Sequence, residues 1–171
     1  MVATLTSPSS VRCYLGLGGN LANELGTPKQ HILNAVQGLK AHPKVIEVNV
    51  SSLYASKPMG PQDQPDFINV VVEIVTTLEA HDLLSFCQYL EQQAQRVRLR
   101  RWGERSLDVD VLLYGDEQID TPLLKVPHPG ITERNFVLIP LIELNSNVKI
   151  NGVSITELEQ SRNWTGLTKL S

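Results

Sequence analysis

The chain has 171 residues, of which 42% are hydrophobic and 19% charged, and its formal net charge is −3. This balance is typical of one folded domain with a substantial core, and it excludes disordered, fibrous and polybasic proteins. No apolar run approaches the roughly 20 residues that cross a bilayer, and the start of the chain lacks the apolar stretch of a secretory signal. We therefore expect a polar tail over residues 1–10 and a single domain over residues 11–171. The cysteines, Cys13 and Cys87, lack metal-ligand spacing, so reduced thiols and a cytoplasmic location are expected.

The first elements are a buried strand and an amphipathic helix. The strand is predicted over Val11–Leu17 and ends at the glycine-rich turn of residues 18–20. The helix is predicted from Pro28 to about Ala41. Its start is well marked, because Thr27 and Gln30 can form a capping box and proline suits the first helical position.

The rest of the chain continues to intermix strands and helices. Residues 57–66, KPMGPQDQPD, form a long polar loop without periodicity, which raises the chance of a functional role. The other predicted elements are strands over 45–56, 67–76 and 107–114 and helices over 80–97 and 132–144. This order predicts an α+β sandwich with a ferredoxin-like β-α-β-β-α-β core, in which helices pack on the faces of a mainly antiparallel sheet.

The strand predicted over 107–114 carries two aspartates among apolar residues. Because strand side chains alternate, Asp108 and Asp110 point to the same face, with Cα atoms about 6.6 Å apart. The opposite face, towards the core, is expected to hold Val109, Val111 and Leu113. The pair by itself can be the exposed face of an edge strand, but carboxylate oxygens are also the preferred ligands of Mg²⁺.

A basic segment lies directly before this strand. Residues 96–105, RVRLRRWGER, contain five arginines and one glutamate. Arginine matches phosphate oxygens with a planar fork and keeps its charge at any working pH. The alternative is a solvated basic loop with Trp102 folded onto the core, but this does not explain why the loop runs into paired carboxylates. Carboxylates that hold cations beside arginines that hold anions form the two halves of a metal–polyphosphate site.

Other candidate residues are ambiguous from their local pattern. The cluster GLGGN over residues 16–20 fits neither a dinucleotide fingerprint nor a P-loop, so its glycines are expected to shape a tight strand exit. Asn20 can equally be a ligand contact or a turn residue. His128, in VPHPG, can donate to a phosphate or be structural. Phe67 and Phe136 can pack in the core or stack on a planar ligand.

Four segments together resemble a known family, the 6-hydroxymethyl-7,8-dihydropterin pyrophosphokinases of folate biosynthesis. They are YLGLGGNL, SSLYASKPMGPQDQPDFINVVV, RVRLRRWGERSLDVDVLLYG and VPHPGITERNFVLIPL. The similarity covers about residues 12–145. It implies a ferredoxin-like fold and transfer of pyrophosphate from ATP to the pterin hydroxymethyl group, which releases AMP. It also implies two Mg²⁺ ions. We further expect a monomer with no nucleic acid or membrane partner.

The resemblance also implies roles for individual residues, matched by position. The catalytic set is Arg96, Arg105, Asp108 and Asp110, and the two aspartates also hold the metal ions. The residues around ATP are Gln88, Glu91, Arg98, Trp102, Val111 through its backbone, His128 and Arg134. The residues around the pterin are Ser56, Met59, Phe67, Asn69 and Phe136.

Without the resemblance, two other functions are compatible with the residues. One is a different metal-dependent phosphoryl or nucleotidyl transferase, because the residues alone do not choose which group is transferred. The other is an RNA-binding ferredoxin-like module that uses arginines and Trp102. A sequence pI near 5.8, the aspartate pair and the absence of an aromatic RNA-binding strand argue against this second function.

Overall fold

A computed structural model describes residues 9–95 and 103–170 of the chain. Its helices are α1 (Pro28–Ala41), α2 (Ala80–Gln93) and α3 (Asn135–Leu144). The longer strands are β1 (Val11–Gly19), β2 (Val45–Val50), β3 (Tyr54–Ser56), β4 (Phe67–Thr76) and β5 (Asp108–Tyr114). Shorter strands are β6 (Ile119–Asp120), β7 (Lys125–Val126), β8 (Lys149–Ile150), β9 (Val153–Ser154) and β10 (Leu167–Lys169). None of the helices in these ranges is both long enough and apolar enough to cross a membrane.

The main sheet has the strand order β10-β3-β4-β1-β5, and β2 pairs with β4 on the same side as β3. All of its pairs are antiparallel. The helices α1 and α2 pack on one face of the sheet, and α3 packs on the other. The predicted α+β class and the β-α-β-β-α-β order are therefore confirmed.

The predicted single strand over residues 45–56 is wrong, because the edge of the sheet breaks after Val50. Ser51 bridges the break: its N–H donates to Val71 O (2.9 Å) and its Oγ accepts from Val71 N–H (2.9 Å). The next N–H leaves the sheet, since Ser52 N donates to Glu143 Oε2 on α3 (2.7 Å). Hydrogen bonds of the Ser51 and Glu143 side chains therefore accompany the break in the strand, and no local sequence pattern predicts these bonds.

The helix boundaries agree with the predictions only in part. The Thr27–Gln30 capping box of α1 is present as predicted, with both reciprocal hydrogen bonds formed. Helix α2 ends at Gln93, before the predicted end at residue 97, because Gln95 has a left-handed φ of 52°. Helix α3 begins at Asn135 after a separate 3₁₀ turn over Ile131–Glu133, rather than as one helix from residue 132.

Strand β5 contains an irregularity that changes which side chains face which layer. Val111 pairs with Leu15 of β1, but the next register pair joins Leu113 to Tyr14, so Leu112 is an extra residue on β5. A bulge of this kind reverses the alternation beyond it. The predicted inward face is therefore correct for Val109 and Val111 and wrong for Leu113, which packs on the α3 side with Leu112.

Glu143 anchors α3 to the edge of the sheet through a set of hydrogen bonds. Its Oε1 accepts from Tyr54 Oη (2.5 Å), and its Oε2 accepts from the Ser52 N–H (2.7 Å) and Ser52 Oγ (3.0 Å). Burial alone would raise the pKa of Glu143, but these bonds outweigh it and hold the pKa below its ordinary value of 4.5.

Replacing Glu143 by glutamine should therefore destabilise the protein at neutral pH. Hydrogen bonds to a buried charged group contribute about 1.5–3 kcal/mol, but Glu143 is exposed and solvent screens its charge. We therefore expect a loss of about 1 kcal/mol and a fall in Tm of roughly 2–4 °C. Because the folded-state pKa is depressed, this stabilisation is present above the ordinary glutamate pKa and is lost as the pH falls through the folded value. Thermal unfolding of the wild type and Glu143→Gln from pH 7 downwards should show that the difference in their Tm becomes smaller. Glu47→Gln, exposed on β2, is the control. A gap that stays constant with pH would contradict the assignment.

Candidate active site

A pocket opens on the α3 side of the sheet, at the end where β1, β4 and β5 lie next to the start of α3. Among its lining residues are Gly16, Gly18, Ser56, Lys57, Met59, Phe67, Asn69, Arg105, Asp108, Asp110, Arg134 and Phe136. All five residues predicted around the pterin thus lie in one pocket with both aspartates and with Arg105 and Arg134. Arg96, Arg98 and Trp102 lie outside the described residues.

Two glycines of β1 form the floor of this pocket. Gly16 and Gly18 pair with Asp110 and Asp108 on one side and with β4 on the other. A Cβ atom on Gly18 would lie 2.6 Å from Asn69 Oδ1, so a side chain there would displace Asn69. The prediction that the strand ends at Gly18 is wrong, because β1 continues through Gly19. The sequence did not predict that these glycines line the pocket, although they are two residues apart, as the aspartates are.

The two aspartates lie side by side on the pocket side of β5. Burial raises the pKa of Asp110, and the charge of Asp108 raises it further, although His128 and Arg134 act in the opposite direction. Asp108 forms an ion pair with Arg105, and the two side chains are only 19% and 16% exposed. The two neighbouring carboxylates are therefore stabilised by additional positive charge.

The two carboxylates suit a hard cation whose other ligands come from water and a bound substrate. Both aspartates offer carboxylate oxygens on the same face, which suits Mg²⁺. Over residues 9–95 and 103–170, no cluster of three or more His, Cys, Asp or Glu side chains could hold a metal ion. Mg²⁺ usually binds through one or two carboxylates together with water and substrate phosphates, so a pair is sufficient.

Asn20 holds the loop before Asp108 in place. Its Nδ2 donates to Gln64 Oε1 (3.0 Å) and to Pro65 O (2.9 Å), and its Oδ1 accepts from the Arg105 N–H (3.0 Å). The N–H groups of Asn20 and Leu21 both donate to Arg105 O (2.9 and 3.0 Å). Of the two roles left open for Asn20, the structural one is observed, because its buried amide joins the end of β1 to two loops.

His128 and Arg134 approach Asp110 from the turn after β7. The Gly130 N–H donates to His128 Nδ1 (3.1 Å), so in the neutral ring the proton resides on Nε2, which can donate to a ligand. Burial lowers the pKa of His128, while Asp110 raises it and Arg134 lowers it. The Arg134 guanidinium packs against Gly130, where a Cβ atom would lie 2.7 Å from Nε.

The two phenylalanines are half-buried and each has an arginine beside its ring. Arg105 Cζ lies 6.0 Å from the Phe67 ring centroid, and Arg134 Cζ lies 5.9 Å from that of Phe136. Both rings line the pocket and are available to a flat ligand. Between them at the floor, Asn69 Nδ2 donates to Ser56 Oγ (2.7 Å).

Four of the residues predicted around ATP do not line this pocket: His128, described above, and Gln88, Glu91 and Val111. Glu91 Oε2 accepts from the Val109 N–H (2.9 Å) and so ties α2 to β5. Gln88 is exposed on α2. The Val111 side chain is buried between the sheet and the helices, which is compatible with its predicted contact only through the backbone.

Comparison with known proteins decides the family. The sequence model described as 7,8-dihydro-6-hydroxymethylpterin-pyrophosphokinase matches residues 14–146. The chain belongs to this family. Its predicted class, a pyrophosphokinase of folate biosynthesis, is thereby confirmed.

Individual members of the pyrophosphokinase family agree over almost their full length. The 2-amino-4-hydroxy-6-hydroxymethyldihydropteridine pyrophosphokinase of Haemophilus influenzae is 44% identical over 86% of this chain and 91% of its own. The enzyme of the same name from Pseudomonas aeruginosa is 41% identical over 93% of this chain and 96% of its own.

A solved structure supports the pyrophosphokinase fold at much lower sequence identity. The HPPK-DHPS protein of Plasmodium falciparum, solved with pteroate, matches 92% of this chain with a TM-score of 0.68 and 15% identity. The chain spans only 43% of that longer protein. This comparison therefore concerns the fold alone.

Proposed function

We propose that this protein transfers the pyrophosphoryl group of ATP to the hydroxymethyl oxygen of 6-hydroxymethyl-7,8-dihydropterin, giving the pterin diphosphate and AMP. One observation carries the proposal: a single pocket contains an aromatic part with two phenylalanine rings and a charged part with two carboxylates and two arginines. A flat ring bound between the phenylalanines would have its substituent beside the carboxylates. We also propose that residues 11–171 act as one domain, as a cytoplasmic monomer.

The aromatic part of the pocket suits a pterin. Phe67 and Phe136 offer π faces to a planar heterocycle. Asn69 and Ser56, already hydrogen-bonded to each other, offer an amide and a hydroxyl to its polar edge. Met59, 56% exposed, lies at the entrance, where its backbone and flexible side chain can close over a ligand.

The carboxylate part suits a magnesium-bound triphosphate. Asp108 and Asp110 would hold two Mg²⁺ ions, with remaining ligands from ATP oxygens and water. When bound, the ions neutralise phosphate charge and lower the pKa of the attacking hydroxyl. Support comes from the raised pKa of Asp110, which is a physical sign that this pair is more stable beside a cation.

The chain's own residues would act by positioning and by charge. Arg105 and Arg134 can donate to phosphate oxygens, and His128 Nε2–H can donate a further hydrogen bond. Arg96, Arg98 and Trp102 are proposed to complete this set, together with Gln88, Glu91 and the Val111 backbone around the nucleotide. Among the residues that the structure describes around the pocket, no side chain stands out as a general base, so alignment of the hydroxyl with the β-phosphorus should dominate the rate.

The nucleotide product tests the proposal directly. Incubation with Mg²⁺, ATP and 6-hydroxymethyl-7,8-dihydropterin should yield AMP and pterin diphosphate in equal amounts. Both products are measured by ³¹P NMR and chromatography. Chelation of the metal should stop the reaction. Accumulation of ADP would indicate phosphoryl transfer instead, and RNA binding that is sensitive to salt but not to Mg²⁺ would favour the non-enzymatic module.

A further inference from the structure

Residues 163–169, here called the 163–169 segment, lie beyond the part of the chain that the family model matches, which ends at residue 146. The segment nevertheless contacts the walls of the pocket at three places, without lining the pocket itself. Each contact involves a residue that lines the pocket or is adjacent to one that does.

The first contact is at the start of α3. Asn135 Nδ2 donates to Asn163 O (2.7 Å) and to Thr165 O (3.0 Å). Asn135 is the first residue of α3 and directly precedes Phe136. The segment therefore holds the backbone turn from which the Phe136 ring extends.

The second contact is with the other wall of the pocket. Leu167 pairs with Ser56 across β10 and β3, and the Lys57 N–H donates to Gly166 O (3.1 Å). Gly166 has a φ of +71°, and a Cβ atom there would lie 3.2 Å from Lys57 Cγ. The backbone at Ser56 and Lys57 thus takes its position from the segment.

The third contact connects both walls through one side chain. Leu167, 7% exposed, packs in a small cluster with Tyr54 of β3 and Ile139 of α3. Phe136 packs against this same cluster. Leu167 is therefore a spacer between the strand that leads into Ser56 and the helix that carries Phe136.

We infer that the 163–169 segment is a positioning element for the aromatic part of the pocket. The main positioning residues are Leu167 in the segment and Asn135, which binds the segment from α3. It sets the separation between Phe136 and the Ser56–Lys57 wall, and so it determines affinity for the flat ring. The inference rests on the proposed function, since the ring is taken to be a pterin. The contacts of the segment with the described residues are with the aromatic part of the pocket, so we expect nucleotide affinity to depend on it much less.

The test compares ligand affinities in Leu167→Ala and Asn135→Ala. Binding is titrated with 6-hydroxymethylpterin, the fluorescent oxidised form of the proposed substrate, in the presence of Mg²⁺ and α,β-methylene ATP. Because small misplacements of a binding group have large effects, we expect the pterin Kd and the pterin KM to rise about tenfold or more. The nucleotide Kd and kcat should change less than twofold. Leu167→Met, which conserves volume, should bind the pterin with an affinity close to that of the wild type.

Controls separate this role from general loosening and from failure of the proposed function. Thr168→Ala, exposed on the same strand, should bind like the wild type. All variants are compared at a temperature where circular dichroism shows them folded. Unchanged pterin affinity in both Leu167→Ala and Asn135→Ala, or an equal loss of pterin and nucleotide affinity, would overturn the inference. A wild-type protein that does not bind the pterin at all would instead overturn the proposed function, and the inference with it.

Discussion

Asp110→Asn should lower kcat by about 10³-fold or more while leaving the protein at least as stable as the wild type. The loss of rate is expected because asparagine cannot supply the charged oxygens that the proposed metal ions need at the point where phosphate charge is transferred. The gain in stability is expected because Asp110 ionises beside Asp108 at the floor of a pocket. A residue that supports only the fold would show the opposite pattern.

The pH dependence of this variant follows from the raised pKa of Asp110. A raised carboxyl pKa means that the folded state holds the proton more tightly than the unfolded state, so wild-type stability declines as the pH rises through the folded value. Asparagine does not titrate, so Asp110→Asn should gain most over the wild type above that value and little in acid. Thermal unfolding in chelator across this range measures the difference. Asp120→Asn, whose carboxylate is 88% exposed, is the matched control. Retained turnover, or a clear loss of Tm in metal-free buffer, would contradict the assignment.

Arg105→Ala should lower kcat by about 10²–10³-fold with a much smaller change in the pterin KM. Arg105 is the one described arginine whose side chain pairs with Asp108 and also lies beside the Phe67 ring. With both proposed substrates bound, its guanidinium would lie next to each of them, where charge on the transferred group would develop. Loss of a single donor of this kind has an effect of that size in other enzymes.

Two variants sharpen this experiment. Arg105→Lys keeps the positive charge but not the planar fork, so its kcat should fall between those of the wild type and Arg105→Ala. Arg12→Ala removes another ion-paired arginine, bonded to Glu73 (2.8 Å) at the far end of the same sheet, and should leave kcat unchanged. Steady-state kinetics with both substrates varied measures all three. Equal kcat values for Arg105→Ala and Arg12→Ala would remove Arg105 from the catalytic set.

Strand periodicity correctly predicted that Asp108 and Asp110 share one face, because alternation along a strand is a local property. Asp108 and Asp110 are two residues apart on a strand, so their common face follows from backbone geometry alone. The same reasoning failed two residues later. Leu112 is an extra residue only with respect to its partner strand β1, and the bulge that turns Leu113 to the other face depends on that pairing.

Contacts between distant segments explain the other misses. Asn20 was ambiguous because its partners, Gln64 and Arg105, are far away in the sequence. The 163–169 segment showed no functional pattern because its contacts with the pocket walls are made by backbone carbonyl groups and one leucine. Such roles depend on where backbone atoms lie in space, and residue type carries little information about them.

Periodicity, helix caps and motifs involve residues close together in the chain, so the amino-acid sequence was enough to assign the α+β class, the family and the identity of the charged groups. The three-dimensional structure was needed to show which of these groups share a pocket. Gly16, Gly18 and the aspartates meet because β1 pairs with β5 in one particular register. Phe67 and Phe136 face one pocket because α3 packs against β4, the strand that begins at Phe67. Strand register and layer packing are set by contacts between residues far apart in the chain, and a local pattern does not contain them.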